Sequence, residues 1–188
     1  MPHPQRRQET DGADGDTHPN IYCVERTLYF FDEVNQNTVS AAIRRIDVLE
    51  RQNRKARIEI ILNSPGGLCY DGYALYDRIR ACQCPVVMIG TGIVASMGYV
   101  IYLAADIRYV MPNCILMQHQ VSSTVDGKYG DIKIEAREIE RIEKQLVRII
   151  SERTKQNPKL IEKQLARGND YITPERAVKD GIAQKIIK

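Results

Sequence analysis

Short apolar runs alternate along this chain with segments whose apolar residues recur at three- and four-residue steps. Strand-like runs occupy residues 26–31, 57–62 and 86–89, and residues 37–50 have the helical spacing between the first two. Parallel strands need long crossovers of about a dozen residues, usually helical, which is the spacing seen here. The pattern therefore predicts a layered α/β fold with parallel strands.

The remaining elements follow the same alternation. Asp71 is predicted to cap a helix that ends near Arg80, and a short apolar helix should extend from Ser96 to Ala104. Strands are predicted at 107–110, 115–117 and 182–187, a polar stretch at 121–130, and short helices after Asn157-Pro158 and Thr173-Pro174. The longest helix, at 131–153, carries a stripe of Ile139, Ile142, Leu146 and Ile149, which would pack on its own domain or on a neighbouring subunit.

Length and composition limit the domain organisation and the classes of partner. The 188 residues suit one domain at 21–188, preceded by a polar segment at 1–20 that is expected to be a mobile tail or a pro-segment. The net charge of +3 is spread over interleaved acids and bases, without the basic face that nucleic-acid binding requires. No apolar run reaches the roughly 18 residues of a membrane span, and no signal-peptide core is visible.

The cysteines indicate a reducing compartment. Their number is five, and an odd count in a chain of this length argues against a disulfide framework. Cys82 and Cys84 lack the second cysteine pair and the nearby histidine of a zinc site, so no metal is predicted. We expect a soluble, cytoplasmic protein.

Ser96 and His119 are the first candidates for chemistry. His119 is the one histidine in the predicted folded body, between an apolar strand and a loop. Ser96 lies in Gly92-Ile93-Val94-Ala95-Ser96-Met97-Gly98, where small residues let a strand turn sharply into a helix and expose the hydroxyl at the helix N-terminus. The Met97 amide would point to the same place, as a serine nucleophile with an oxyanion donor requires.

A second donor is predicted in the turn after the strand at 57–62. Gly66 and Gly67 follow Pro65 there, and paired glycines permit unusual dihedral angles and close backbone approach. An exposed Gly67 amide is therefore a candidate for the second oxyanion donor. Each of these turns alone is common in proteins, so their combination carries the argument.

Four segments together resemble the ClpP peptidase family, in that family's order and with near-family spacing. They are ILNSPGG at 61–67, GIVASMG at 92–98, MPNCILMQHQ at 111–120 and DIKIEAREI at 131–139. The resemblance extends from about residue 25 to residue 187. It implies a ClpP/crotonase-like layered fold of β–α units with a projecting handle helix.

The resemblance also implies a serine endopeptidase. In it Ser96 matches the nucleophile, His119 the general base, and Gly67 and Met97 the oxyanion-hole amides. The segment at 121–130 matches the ribbon that holds a substrate backbone as an added strand. Acyl transfer from a peptide to serine, followed by hydrolysis, needs no metal or organic cofactor.

The implied partners are a polypeptide substrate, further copies of the chain and an AAA+ unfoldase ATPase. The copies would form heptameric rings, stacked through the handle into a tetradecamer. Glu59 and Ile61 occupy outward positions where the family often has aromatics, which argues against the usual ATPase docking. Two further departures, which suggest different ring stacking, are Val121-Ser122-Ser123 in the ribbon and Arg167-Gly168-Asn169 at the ring contact.

The residue that orients His119 is left open between Asn169 and Asp170. The family carries Asp four residues before the Ser or Thr that opens the last helix, and counting back from Thr173 reaches Asn169. At the family's spacing from the long helix, without gaps, the same position is Gly168. The mismatch indicates one inserted residue, so either Asn169 or Asp170 meets the imidazole. Asp would stabilise the imidazolium, whereas Asn would only orient the ring and predicts a slower or partner-dependent enzyme.

Two alternative functions stay open. One is a catalytically impaired ring subunit that works beside a second ClpP-like subunit. The other is a crotonase-like enzyme for acyl thioesters, which also holds an oxyanion with paired amides but usually relies on carboxylates for proton transfer. The Ser–His pair favours the peptidase.

Overall fold

A computed structural model describes residues 18–187, so the predicted tail at 1–20 lies almost entirely outside the described residues. The helices in this part are α1 (Gln36–Gln52), α2 (Cys69–Ala81), α3 (Met97–Leu103), α4 (Tyr129–Thr154), α5 (Pro158–Leu165) and α6 (Pro174–Lys179). The strands are β1 (Ile21–Val24), β2 (Thr27–Phe30), β3 (Ile58–Ser64), β4 (Val86–Ala95), β5 (Ile107–Val110), β6 (Ile115–Gln118), β7 (Asp170–Ile172) and β8 (Lys185–Ile186). No helix in the described part is both long and apolar enough to cross a bilayer.

The strands form one mixed sheet, mostly parallel, in the order β1-β2-β3-β4-β5-β8. β2, β3, β4, β5 and β8 pair in parallel, while β1 adds an antiparallel edge. β6 pairs in parallel with the end of β4, and β7 lies antiparallel to β6. The predicted layered α/β fold is confirmed.

β4 is longer than the sequence predicted and changes partners along its length. Its first half pairs with β5 through Gly90, and its second half pairs with β6 from Ile93 to Ala95. The prediction ended the strand at residue 89 because two glycines follow. Gly92 instead bends the strand at φ 57°, and the Ile93 amide donates to Asn63 Oδ1 at 3.0 Å. The bend carries the strand on to Ser96.

The core lies against one face of the sheet. Buried and half-exposed residues alternate along β3, as expected for a strand covered on one side. All seven residues of α3 are buried, and this short helix contacts α2, α4, β3 and β4. Because α3 is apolar all round, it must lie inside the domain, which holds its first residue rigidly at the end of β4.

The two halves of α4 differ in burial. Residues 129–137 are exposed, whereas the second half buries Ile142, Leu146, Val147, Ile149 and Ile150. The first half therefore projects from the domain, in agreement with the predicted handle. The helix begins at Tyr129, two residues before the predicted start.

Several local predictions were wrong. α2 begins at Cys69 with Leu68 as its N-cap, so Asp71 lies in the first turn instead of capping the helix. β1 and β7 were not predicted, because four- and three-residue strands carry too little alternation to be recognised. The final strand is confined to Lys185–Ile186. The helix starts predicted at Asn157-Pro158 and Thr173-Pro174 are confirmed, and the side chains of Asn157 and Thr173 each accept a hydrogen bond from a backbone amide of their own helix.

Candidate active site

Ser96 occupies a strained turn between β4 and α3. Its backbone has φ 53° and ψ −124°, a conformation that a residue with a side chain rarely adopts. The Ser96 amide donates to the Met117 carbonyl at 2.9 Å, which ties this turn to β6. Strain of this kind persists only where the surrounding structure enforces it, and it is often found at functional sites.

His119 meets this serine directly. It follows β6, whose parallel pairing with the end of β4 brings the two strand ends to one edge. The distance between His119 Nε2 and Ser96 Oγ is 2.8 Å, within the range of a good hydrogen bond. The imidazole is half-buried. A serine hydroxyl against an imidazole nitrogen is the pair that nucleophilic acyl transfer uses.

The Gly66-Gly67 turn is packed against the nucleophile. A Cβ on Gly66, which has φ 98°, would lie 2.6 Å from the Ser96 Cβ. A Cβ on Gly67 would lie 2.2 Å from the Val34 carbonyl oxygen. Val34 also donates to the Gly66 carbonyl and accepts from the Leu68 amide, both at 2.8 Å. Only glycine allows this close approach, so the absence of side chains at positions 66 and 67 lets the turn pack directly against the serine.

Two backbone amides beside the serine are left without acceptors. Within residues 18–187, neither the Gly67 nor the Met97 amide donates a backbone hydrogen bond to a carbonyl. Met97 is the first residue of α3, where the initial amides of a helix have no intrahelical acceptor. The positions predicted from sequence as oxyanion donors therefore flank Ser96 with free N–H groups, as an oxyanion hole requires.

A cleft of about 180 Å³ opens at this pair. Gly67, Ser96 and His119 line it, together with Val121 and Ser122 from the loop that leads to α4. Its walls include apolar side chains from three helices, namely Val100, Leu146, Ile150 and Leu165. Cys69 also lines the cleft, and burial raises the pKa of its thiol, so that thiol is a poor nucleophile at neutral pH.

A sequence model of the family described as Clp protease matches residues 14–188. The chain belongs to the Clp protease family. This family comprises peptidases, and the match extends over nearly the whole chain, including every element that positions Ser96 and His119. The predicted family resemblance is thus confirmed, and the site can be described as that of a Clp protease family member.

Neither sequence candidate for the third position of this Clp protease site is hydrogen-bonded to His119. Asp170 accepts instead from Gln118 Nε2 at 2.9 Å and from Arg176 Nη2 at 2.8 Å. Asn169 is exposed and makes no side-chain hydrogen bond within the described residues. The β6–β7 register pairs Gln118 with Asp170, so one further step along both strands sets Asn169 across from His119.

The charge of Asp170 is committed to this separate network. Partial burial works to raise the pKa of Asp170, but the hydrogen bonds from Arg176 and Gln118 outweigh burial, and the net shift is downward. Arg176 also binds Asp180 through Nε at 3.1 Å. The sequence analysis did not single out Arg176, since only the fold brings this base of α6 to Asp170.

Proposed function

We propose that this chain is a serine endopeptidase subunit with Ser96 as nucleophile and His119 as general base. The observation that carries the proposal is the 2.8 Å contact between His119 Nε2 and Ser96 Oγ on a strained turn. The amides of Gly67 and Met97, which have no backbone acceptor in the described residues, lie on the two segments that flank Ser96. The acyl-thioester alternative expected carboxylates at this place, whereas the group against the serine is an imidazole.

The proposed reaction begins when Ser96 Oγ attacks the carbonyl carbon of a peptide bond. His119 Nε2 accepts the hydroxyl proton as the bond forms, and the amides of Gly67 and Met97 stabilise the negative oxygen. The C–N bond then breaks as the imidazolium returns that proton to the leaving amine. Water, deprotonated by His119, releases the acyl group from Ser96 in the same manner.

The proposed substrate is an extended polypeptide. Residues 119–128 connect β6 to α4 without strand pairing within the described part of the chain, and Val121 and Ser122 from this loop line the cleft. Its backbone is therefore available to pair with a substrate as an added strand. This is the role that the resemblance assigned to residues 121–130.

We propose assembly into heptameric rings that stack through the handle into a tetradecamer. The exposed first half of α4 supports this, because it presents Tyr129 at 77% exposure and Ile134 at 63%. Apolar side chains of that size on a projecting helix favour burial against another subunit. The five free cysteines fit a reducing compartment, and we propose the cytoplasm.

An AAA+ unfoldase is proposed as the partner that supplies folded substrates. The outward face of the sheet carries an aromatic cluster that the sequence analysis did not recognise. Tyr29 stacks on Tyr22 with ring centroids 4.8 Å apart, contacts Phe31 edge to face at 5.8 Å, and pairs in register with Ile61. Tyr22 lies on β1, Tyr29 on β2 and Phe31 directly after β2, so the cluster lies beside the β3 position where Glu59 argued against docking.

A second candidate function is a ring subunit whose activity depends on a partner subunit. The observation that favours it is the absence of a hydrogen bond between His119 and Asn169 or Asp170. Contact with a neighbouring subunit would then have to bring Asn169 to the imidazole. This subunit would retain the Ser–His pair but turn over slowly alone.

The test is hydrolysis of a short fluorogenic peptide by purified protein and by Ser96→Ala, with assembly mass measured on the same samples. Short peptides enter a barrel without an ATPase, so the missing partner does not affect the result. Turnover by the ring-sized species that Ser96→Ala abolishes supports the endopeptidase. An intact ring that reacts with a fluorophosphonate at Ser96 but does not turn over supports the partner-dependent subunit.

A further inference from the structure

Three arginines bind the far end of α3, the helix that begins beside the nucleophile. They come from α2, β5 and α4, and they donate to the consecutive backbone carbonyls of residues 103–105. The last carbonyls of a helix have no intrahelical donor, so each one needs an outside partner where it is buried. The hydrogen bonds are Arg153 Nε to Leu103 and Arg153 Nη2 to Ala105, both at 2.8 Å, and Arg80 Nη1 to Ala104 and Arg108 Nη1 to Ala105, both at 3.1 Å.

These contacts lie inside the core. Leu103 and Ala105 are fully buried, and Arg108 is 4% exposed. Burial lowers the pKa of the Arg108 guanidinium, and the nearby Arg153 lowers it further. Within residues 18–187 the side chains of both arginines donate only to backbone carbonyls, so no carboxylate is in direct contact with them. A buried cation is costly, and the carbonyls at the negative end of α3 offset that cost.

Arg108 connects this end of α3 to the rest of the domain. Its Nη2 donates to the Arg153 carbonyl at the end of α4, at 3.1 Å, and its Nε donates to the Ile182 carbonyl between α6 and β8, at 2.7 Å. Arg80 is paired with Asp106 Oδ1 at 3.3 Å. The arginines therefore fasten α3 to α2, to α4 and to the segment that follows α6.

α3 transmits this anchoring to the nucleophile because it is short. Its seven residues extend over about 10 Å, so the two ends of the helix move together. The strained Ser96 directly precedes the helix, and Met97 is its first residue. A strained turn persists only where its surroundings hold it. The hydrogen bond from the Ser96 amide to the Met117 carbonyl holds the turn against β6, and the arginines hold it through α3.

We propose that Arg80, Arg108 and Arg153 are positioning residues, which hold α3 so that Ser96 Oγ and the Met97 amide keep their catalytic places. The inference rests on the proposed peptidase function and adds residues behind the site to it. None of the three arginines lines the cleft, so they act through α3 and not on the substrate. Their loss should therefore lower kcat and leave KM nearly unchanged.

The experiment replaces Arg153 by methionine, which has a long side chain without an N–H. We expect Arg153→Met to lower kcat for a short fluorogenic peptide by about ten- to a hundredfold, because a displacement of about 1 Å at the reacting atoms has an effect of that size. Arg153→Lys restores a cation that can donate to the same carbonyls and should recover part of the loss. Arg148→Met makes the same change at an exposed position of α4 away from the cleft, and should leave kcat and KM unchanged.

Arg80→Met provides a variant that leaves the buried charges in place. The Arg80 side chain is 38% exposed and supplies one of the four bonds, so kcat should fall by only about two- to fivefold. All variants are compared per amount of folded protein, well below their unfolding temperatures. The rate of fluorophosphonate labelling of Ser96 is measured on the same samples and should fall in parallel with kcat.

Two results would overturn the inference. Arg153→Met and Arg80→Met could unfold at lower temperature while retaining the wild-type kcat and labelling rate, in which case the arginines only stabilise the fold. Arg148→Met could lose as much activity as Arg153→Met, in which case the effect is not specific to the end of α3. A wild-type protein that neither labels nor turns over contradicts the peptidase itself. If the wild type labels without turnover, the labelling rates alone decide the inference.

Discussion

The two faces of β6 at its C-terminal end carry adjacent residues with opposite surroundings. Gln118 points to one side, where Asp170 and Arg176 form a charged, hydrogen-bonded network around it. His119 points to the other side, where its hydrogen-bond partner is Ser96. The side chains of a strand alternate between faces, so a network on one face cannot serve the other.

Because of this difference, Asn169 and Asp170, which are adjacent in the sequence, lie next to different residues. Asp170, the charged candidate for orienting His119, is used to hold Gln118, while the position across from His119 holds the neutral Asn169. A charged partner stabilises an imidazolium, which a neutral amide does not. The face that bears the nucleophile is therefore built from neutral groups, and the face behind it has the charges.

The largest effect is expected on the His119 face. His119→Gln removes the base but keeps a polar side chain of similar size, and kcat/KM should fall by more than about 10³-fold. Gln52→Ala, at an exposed residue of α1 that does not line the cleft, should retain activity, and thermal unfolding of both variants serves as the folding control. Substantial turnover by His119→Gln would show that another group deprotonates Ser96.

Exchanging the charge between the faces sharpens the comparison. Asn169→Asp should raise kcat/KM by about 10- to 100-fold, because a carboxylate then lies across from the imidazole. Asp170→Asn should produce a smaller change, since its carboxylate serves Gln118. The comparison fails if Asn169→Asp has no effect while Asp170→Asn is as damaging as His119→Gln.

Arg176 tests the Gln118 face through stability. Arg176→Met leaves the half-buried Asp170 carboxylate without its cation, and the free energy of unfolding should drop by about 2 kcal/mol. Lys144→Met breaks an exposed helix pair with Glu140 that water and salt screen, so it should lower the free energy of unfolding much less than Arg176→Met does. Chemical denaturation measures both. Equal losses would mean that the Asp170 network is no more than a surface ion pair.

The smallest effect is the pH dependence of the same network. The pKa of Asp170 is lowered from its ordinary value of 3.8, so its interactions stabilise the fold above that value and are lost as pH falls through the folded pKa. The stability difference between wild type and Asp170→Asn should be full at neutral pH and shrink below 3.8. A difference that persists in acid would contradict a role for the ionised carboxylate.

Much of the site could be predicted because its signals are local. The strained turn at Ser96, the glycines at 66–67 and the position of His119 after a strand each depend on a few consecutive residues. β7 was missed because three residues carry no period, and the Tyr29 cluster was missed because its members come from neighbouring strands. Gln118 was overlooked beside the more conspicuous His119.

The sequence by itself determined the layered α/β fold, the family, the nucleophile candidate and its base, since these follow from hydrophobic period and from short motifs. Only the tertiary structure decided which side of β6 receives Asp170 and which buried polar atoms of the described residues, the Tyr99 hydroxyl and Gln118 Oε1, have no hydrogen-bond partner. The β6–β7 register decides the first, and a shift of one residue would exchange the faces. The second depends on side chains from α3, β6 and α5 that meet only when the chain is folded.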